Sequence, residues 1–309
     1  MRIKVMQALY GFFQSDIKDL AKAERELFNG IEKIYDLYIY QLSLLVELKH
    51  VATIVMEEAK TKRLPTQNDL TPNLKFIENK FLSQLAENIN FKREINNRKI
   101  NWNNEFELIR KIYNNIKASE EYKTYMNESD DSLAVHLTFI SEIFKEHIAD
   151  YDLVNYLYEE KNLHWGDDIY LINPMVVKTI ESFKETEAMD FQLMSLYKDR
   201  EEDVQFVKDL FRQTVIRNDE TEKLIGDKTK NWDVERIAMM DVLLMKMAIT
   251  EILHFSGIPV KVSLNEYIEI SKIYSTPKSK IFINGILDKL VVDFKSENKL
   301  TKMGRGLLE

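Results

Sequence analysis

Between residues 233 and 294, apolar side chains return at three- and four-residue intervals with hardly a break, and that spacing commits the stretch to packed helices. Ile237, Met240, Leu244 and Met247 mark one face of a first run, 233–253, in which Asp233 is placed to accept a free backbone N–H as N-cap. Gly257 and Pro259 end that run. In the second, 258–275, Ser263 and Glu266 have capping-box spacing, and the helix they open is expected to stop before Pro277. Ile283, Ile286, Leu287, Leu290, Val291 and Phe294 then form one stripe, which predicts a third helix.

The rest of the chain reads the same way. With 8 Gly and 5 Pro in 309 residues, and few alternating β-branched stretches, the fold class is all-α. Residues 21–59 predict one or two long helices, and two prolines among turn formers break the pattern over 62–73. Further helical pieces are expected at 74–96, 104–125 and 133–184, the last interrupted near Trp165 and Gly166. A linker over 127–132 ends in a cap. The length suits two domains. No apolar run approaches the roughly 20 residues of a membrane helix, and Arg2 and Lys4 before residues 5–13 make a poor signal peptide, so a cytoplasmic location is expected. The absence of Cys removes disulfides, thiolate metal sites and cysteine nucleophiles.

Residues between the core positions carry more than the frame does. Val262, Asn265, Glu266 and Lys272, followed by Phe282, Asn284, Gly285, Leu287 and Asp288, resemble the closing signature of the NusB family of transcription antitermination factors. Residues 234–253 look like that family's preceding helix, 203–211 like the long helix before it, and 6–12 like its first helix. The resemblance covers about 1–14 and 202–292. It implies a NusB-like helical bundle of two packed three-helix units, formed by 1–16 plus 190–309. Residues 17–189 would then be an additional helical insertion domain.

The net charge of −8 is unevenly spread. Residues 15–202 hold −11 and the flanking parts together +3, so the acid lies in the insertion, which must turn away from RNA or bind something cationic, unless the acidic surface merely keeps a helical module soluble. The insertion also hints at a degenerate repeat of the NusB-like helices. At an offset of 67 residues Trp165 pairs with Trp232, Phe139 with Phe206, Phe144 with Phe211 and Leu157 with Leu224. Two helix pairs with aromatic cores at similar spacing would look alike, and both readings stay open.

Little in the chain suggests catalysis. None of His50, His136, His147, His164 and His254 stands in an i, i+4 His pair with Glu between, and there is no phosphate loop or nucleophile elbow. No cofactor and no metal are expected, and the chain does not read as an enzyme. Lys278 and Lys280 precede Phe282 at the start of the last helix, where backbone N–H groups also favour an anion. Lysines on phosphates beside an aromatic ring under a base are the usual means of holding single-stranded RNA. The resemblance implies the same spot as a contact for boxA RNA, together with a basic N-terminal segment represented here by Arg2 and Lys4. It further implies a NusE ribosomal-protein partner, met by Tyr10, Glu235 and Asp241, within the transcription elongation complex of ribosomal RNA operons. The alternative is a helical protein-interaction scaffold whose RNA site has decayed.

Overall fold

The structure, a computed structural model, describes residues 1–184, 191–229 and 237–307, the side chains of 305 and 306 excepted. Among them there is no strand, and the all-α expectation holds. The helices are α1 (Arg2–Gln14), α2 (Leu20–Lys60), α3 (Gln67–Leu70), α4 (Lys80–Glu87), α5 (Ile89–Arg98), α6 (Phe106–Ala118), α7 (Glu120–Asn127) and α8 (Leu133–His147). They continue as α9 (Asp152–Lys161), α10 (Trp165–Glu181), α11 (Arg200–Ile216), α12 (Asn218–Lys228), α13 (Met239–His254), α14 (Val260–Tyr274) and α15 (Ser279–Ser296). Two compact units result: Met1–Ile31 with Tyr197–Glu309, and Glu32–Leu196.

In the first unit α13 is the central helix, packing against α1, α11, α12, α14 and α15. The ten consecutive residues from Leu243 to Ile252 are all buried, so the helix has no solvent face. This corrects the one-faced helix expected at 233–253, since Lys246, Thr250 and Glu251 lie inside the core with hydrogen-bond partners. The helix also starts later, with Ala238 at its N-cap, and the expected cap Asp233 lies outside the described residues. Nor do Ser263 and Glu266 form a capping box. Pro259 precedes the first turn of α14, leaving Ser263 buried within the helix. The stop before Pro277 and the stripe from Ile283 to Phe294 are as expected, and all six stripe residues are buried. Each such side chain contributes roughly 1.5–3 kcal/mol by leaving water.

The second unit is built on the part of α2 beyond Ile31. Leu37, Tyr38, Ile39, Tyr40, Leu42 and Leu44 are all buried, a density that only a helix covered on every side can accommodate. An 18-residue window of α2 has mean hydropathy 1.3, long and apolar enough to cross a membrane by length and composition, and 56% of it is buried inside the protein. The expectation that no run approaches that length is corrected, because the polar residues interrupting it are too few to lower the mean. Tyr40 packs with Trp102 at 4.2 Å between ring centres and with Trp165 at 5.7 Å, and the Trp165 indole donates to the Lys33 carbonyl at 2.8 Å. Buried Asn79 and Asn88 cap α4 and α5. The piece 104–125 is two helices, broken where Ser119 caps α7. The piece 133–184 is three helices: the expected break falls just before Trp165, which opens α10, and a further break separates α8 from α9.

At the 67-residue offset, α8 and α9 align with α11 and α12 in sequence register. Ile140 and Val207, Ile143 and Leu210, Phe144 and Phe211, and Tyr158 and Ile225 are buried in both. A copied helix pair would show this pattern. Trp232, the counterpart of Trp165 at this offset, lies outside the described residues.

Candidate RNA and partner surfaces

Three side chains from two helices converge on Glu251 of α13, which has no exposed surface. Arg2 of α1 donates from Nε and Nη2, each at 2.8 Å. From α14 come the Ser263 hydroxyl at 2.7 Å and the Tyr267 phenol at 2.9 Å. Burial, reinforced by the Glu251 charge, pushes the Tyr267 phenol well above its ordinary pKa, so it stays a donor. Burial works against the Arg2 charge, but the Glu251 carboxylate outweighs it and holds the guanidinium above its usual value. Arg2 also reaches Glu266 at 3.3 Å and lies 5.1 Å over the Phe206 ring. Sequence reasoning placed Arg2 and Lys4 on a basic arm. Instead α1 begins at Arg2, the Arg2 fork is spent on Glu251, and Lys4 is 5% exposed, because a helix that docks on α11 and α13 turns these positions inward.

A second buried carboxylate holds the turn between α14 and α15. Asp241, 5% exposed, accepts from the Ser275 hydroxyl at 2.5 Å and the Ser279 hydroxyl at 2.8 Å. Ser279 in turn receives the Thr276 backbone N–H at 3.2 Å. Asp241 was expected on a partner-facing surface. It faces inward because the two hydroxyls need an acceptor there, and its place in the first turn of α13 suits a carboxylate. Ser275 and Ser279 carry no signal of this role in the sequence. Two serines flanking Pro277 are common, and only the fold brings an acid beneath them.

The turn so held presents Lys278, the N-cap residue of α15, and Lys280, both exposed. Phe282 is half-buried one turn into the helix and makes contacts within the protein. Gly285 lies on the same helix, exposed, and a Cβ placed there would meet nothing within 4 Å. A helix-interior glycine costs roughly 0.5–1 kcal/mol relative to alanine, and no packing within the protein accounts for this one.

Tyr10, 42% exposed, opens onto a cleft of about 250 Å³ between α1, α12 and α13. Phe13, Met239, Val242 and Leu243 give it apolar walls. Lys246, 8% exposed, forms part of its floor, with Nζ at 2.7 Å from both Asn218 Oδ1 and Glu222 Oε2. Of the three expected partner residues Tyr10 is at this cleft, Asp241 is buried beneath the turn, and Glu235 lies outside the described residues. Among the described residues no group of His, Cys, Asp and Glu could hold a metal.

Residues 174–291 match the sequence model of the NusB family. Over 103 residues the chain is 44% identical to the transcription antitermination protein NusB of Salinibacter ruber, covering 33% of this chain and 64% of that protein. This part of the chain belongs to the NusB family. The NusB of Chloroherpeton thalassium is 45% identical over 97 residues, 31% of this chain and 46% of that one. That of Desulforamulus reducens is 41% identical over 96 residues, 31% and 66%. The chain thus spans less than two thirds of the length of each of these relatives. No solved structure gives a significant match. The NusB match begins inside α10 and takes in the turn with Lys278 and Lys280, Gly285, and the α12 and α13 sides of the Tyr10 cleft. Helix α1 lies outside it, and is joined to the matched part through Arg2 and Glu251.

Proposed function

We propose that the chain is a transcription antitermination factor that holds boxA-type single-stranded RNA at the turn before α15 and a NusE-like ribosomal protein at the Tyr10 cleft. It would act in the cytoplasm, within the transcription elongation complex on ribosomal RNA operons, as a binding protein and not as an enzyme. The observation that carries this reading is the pair of exposed lysines at the N-terminus of α15 on a turn anchored by Asp241. Two mobile cations, helix-end amides and the Phe282 ring supply what phosphate and a splayed base require. Gly285 leaves room beside them for a close approach. The Tyr10 cleft supports a protein contact because it combines apolar walls with an exposed aromatic edge.

Fluorescence polarisation with a boxA-type RNA, with and without NusE and across salt, tests the reading. Lys278→Ala with Lys280→Ala is expected to weaken binding and to flatten the salt dependence by about 0.7 in logarithmic slope for each phosphate contact removed. Absence of RNA binding at low salt, with NusE present or not, would sink it. The internal use of Arg2 and the burial of Lys4 favour a second reading, a protein scaffold with a decayed RNA site. NusE binding without RNA binding would select it.

A further inference from the structure

We infer that the groove between α7 and α8 in the second unit is a docking site for an extended basic segment of a partner protein, one carrying an apolar side chain between two cationic ones. The groove encloses about 570 Å³. Its floor is the face-to-face pair Tyr125 and Phe139, 3.9 Å apart with their planes 2° from parallel, together with Ala134, Val135 and Thr138. Carboxylates stand at both ends: Glu128 and Asp130 beside the connecting loop, and Glu120, Glu121 and Glu142 at the far end. None of the lining residues is basic.

The neighbouring basic side chains leave this polarity in place. Lys123 pairs with Glu120 at 2.6 Å, and His147 lies 3.8 Å from Glu121. Lys75 binds the Glu128 and Asp130 carbonyls rather than their carboxylates, from a position 4.9 Å from the Tyr125 ring centre. Glu128 and Asp130 accept backbone N–H groups of the loop, and Asp130 also the Ser132 hydroxyl, so their carboxylates are held by neutral donors. Residues 120–152 hold nine acidic against two basic side chains, which excludes nucleic acid as the occupant and favours a cationic one.

Spacing narrows the occupant further. Ala134 and Glu142 mark the two ends on α8, and eight helical residues rise about 12 Å. In an extended segment, positions i, i+2 and i+4 share one face, and the outer two lie about 13 Å apart. A segment with Lys or Arg at i and i+4 and an apolar residue at i+2 therefore places charge at both acidic ends and its apolar side chain on the Tyr125 and Phe139 floor. A polyamine would lack the middle contact. This site goes beyond the RNA and NusE reading and shares no residue with it.

The test titrates the full chain with a fluorescein-labelled nonapeptide centred on Lys-Ser-Leu-Ser-Lys, and with the same peptide carrying Gly for Leu. Thr138 and Glu142 are exposed, so Thr138→Arg and Glu142→Lys should fold normally, which circular dichroism checks. The Leu peptide is expected to bind, and each variant and the Gly peptide to lose about tenfold in affinity. No binding by the Leu peptide, equal binding by the two peptides, or unchanged affinity in Thr138→Arg would each overturn the inference. Displacement of the Leu peptide by spermidine at equal charge concentration would also overturn it, in favour of a polyamine surface.

Discussion

Arg2 and Glu251, 249 positions apart, meet through two parallel hydrogen bonds of 2.8 Å, and this pair fastens the first helix to the central one. The carboxylate is fully buried, so its loss takes the acceptor from the Ser263 and Tyr267 hydroxyls and leaves the Arg2 guanidinium to its 3.3 Å contact with Glu266. Glu251→Ala is expected to cost about 3–5 kcal/mol, and Arg2→Ala about 1.5–3 kcal/mol, both read from urea unfolding. Below its Tm the Arg2→Ala protein should keep the wild-type salt slope for RNA. A slope reduced by about 0.7 would mean that Arg2 meets a phosphate after all.

Asp241 predicts a split between two readouts. Asp241→Ala removes the acceptor of the Ser275 and Ser279 hydroxyls and is expected to cost about 1–3 kcal/mol. The turn bearing Lys278 and Lys280 should then lose its fixed geometry, weakening RNA about tenfold, equivalent to about 1.4 kcal/mol. Asp241→Asn keeps an acceptor oxygen and should recover part of both losses. RNA affinity that stays at the wild-type value in Asp241→Ala would show that the turn needs no anchor.

How far the sequence discloses this depends on whether a residue's partner is local. The stripe of α15 is legible because Ile283, Ile286, Leu287 and Leu290 are apolar at helical spacing whatever they meet. α13 is misread because Lys246, Thr250 and Glu251 look like a solvent face, and buried polar groups with distant partners carry the same letters as exposed ones. Ser263 and Glu266 imitate a capping box by spacing alone, whereas their partners are Glu251 and Arg2 on other helices. Lys278 and Lys280 are legible as an exposed basic pair because their place at a helix start is set locally. The acid beneath them lies 37 and 39 residues earlier at Asp241, beyond any local pattern.

Gly285 should separate stability from binding. Alanine fits sterically and favours the helix, so Gly285→Ala is expected to raise stability by about 0.5–1 kcal/mol. If RNA or a partner backbone approaches that face closely, the added methyl group lowers its affinity in the same protein. A variant that is more stable and binds RNA unchanged would remove Gly285 from the proposed surface.

The second unit should weaken in mild acid through His136. Its ring is 1% exposed, with Nδ1 2.7 Å from the Tyr125 hydroxyl and Nε2 3.0 Å from Asp131 Oδ1. The neutral tautomer protonated at Nε2 satisfies both, accepting from Tyr125 and donating to Asp131. Burial lowers the His136 pKa from its ordinary value, the Asp131 charge offsetting only part of the effect. Between that lowered value and about 6.5, where an unfolded histidine titrates, the unfolded chain binds more protons, so stability falls as pH falls. Its full contribution is present above about pH 6.5 and is lost as pH drops through that window to the folded pKa. His254 has the same sign, lowered by burial and by Arg217. Thermal unfolding of wild type and His136→Gln between pH 8 and pH 5, a range on the order of the histidine window, should give a shallower decline in the variant, with the His254 share remaining. Parallel declines would show that His136 takes up its proton as readily in the folded protein as in the unfolded chain.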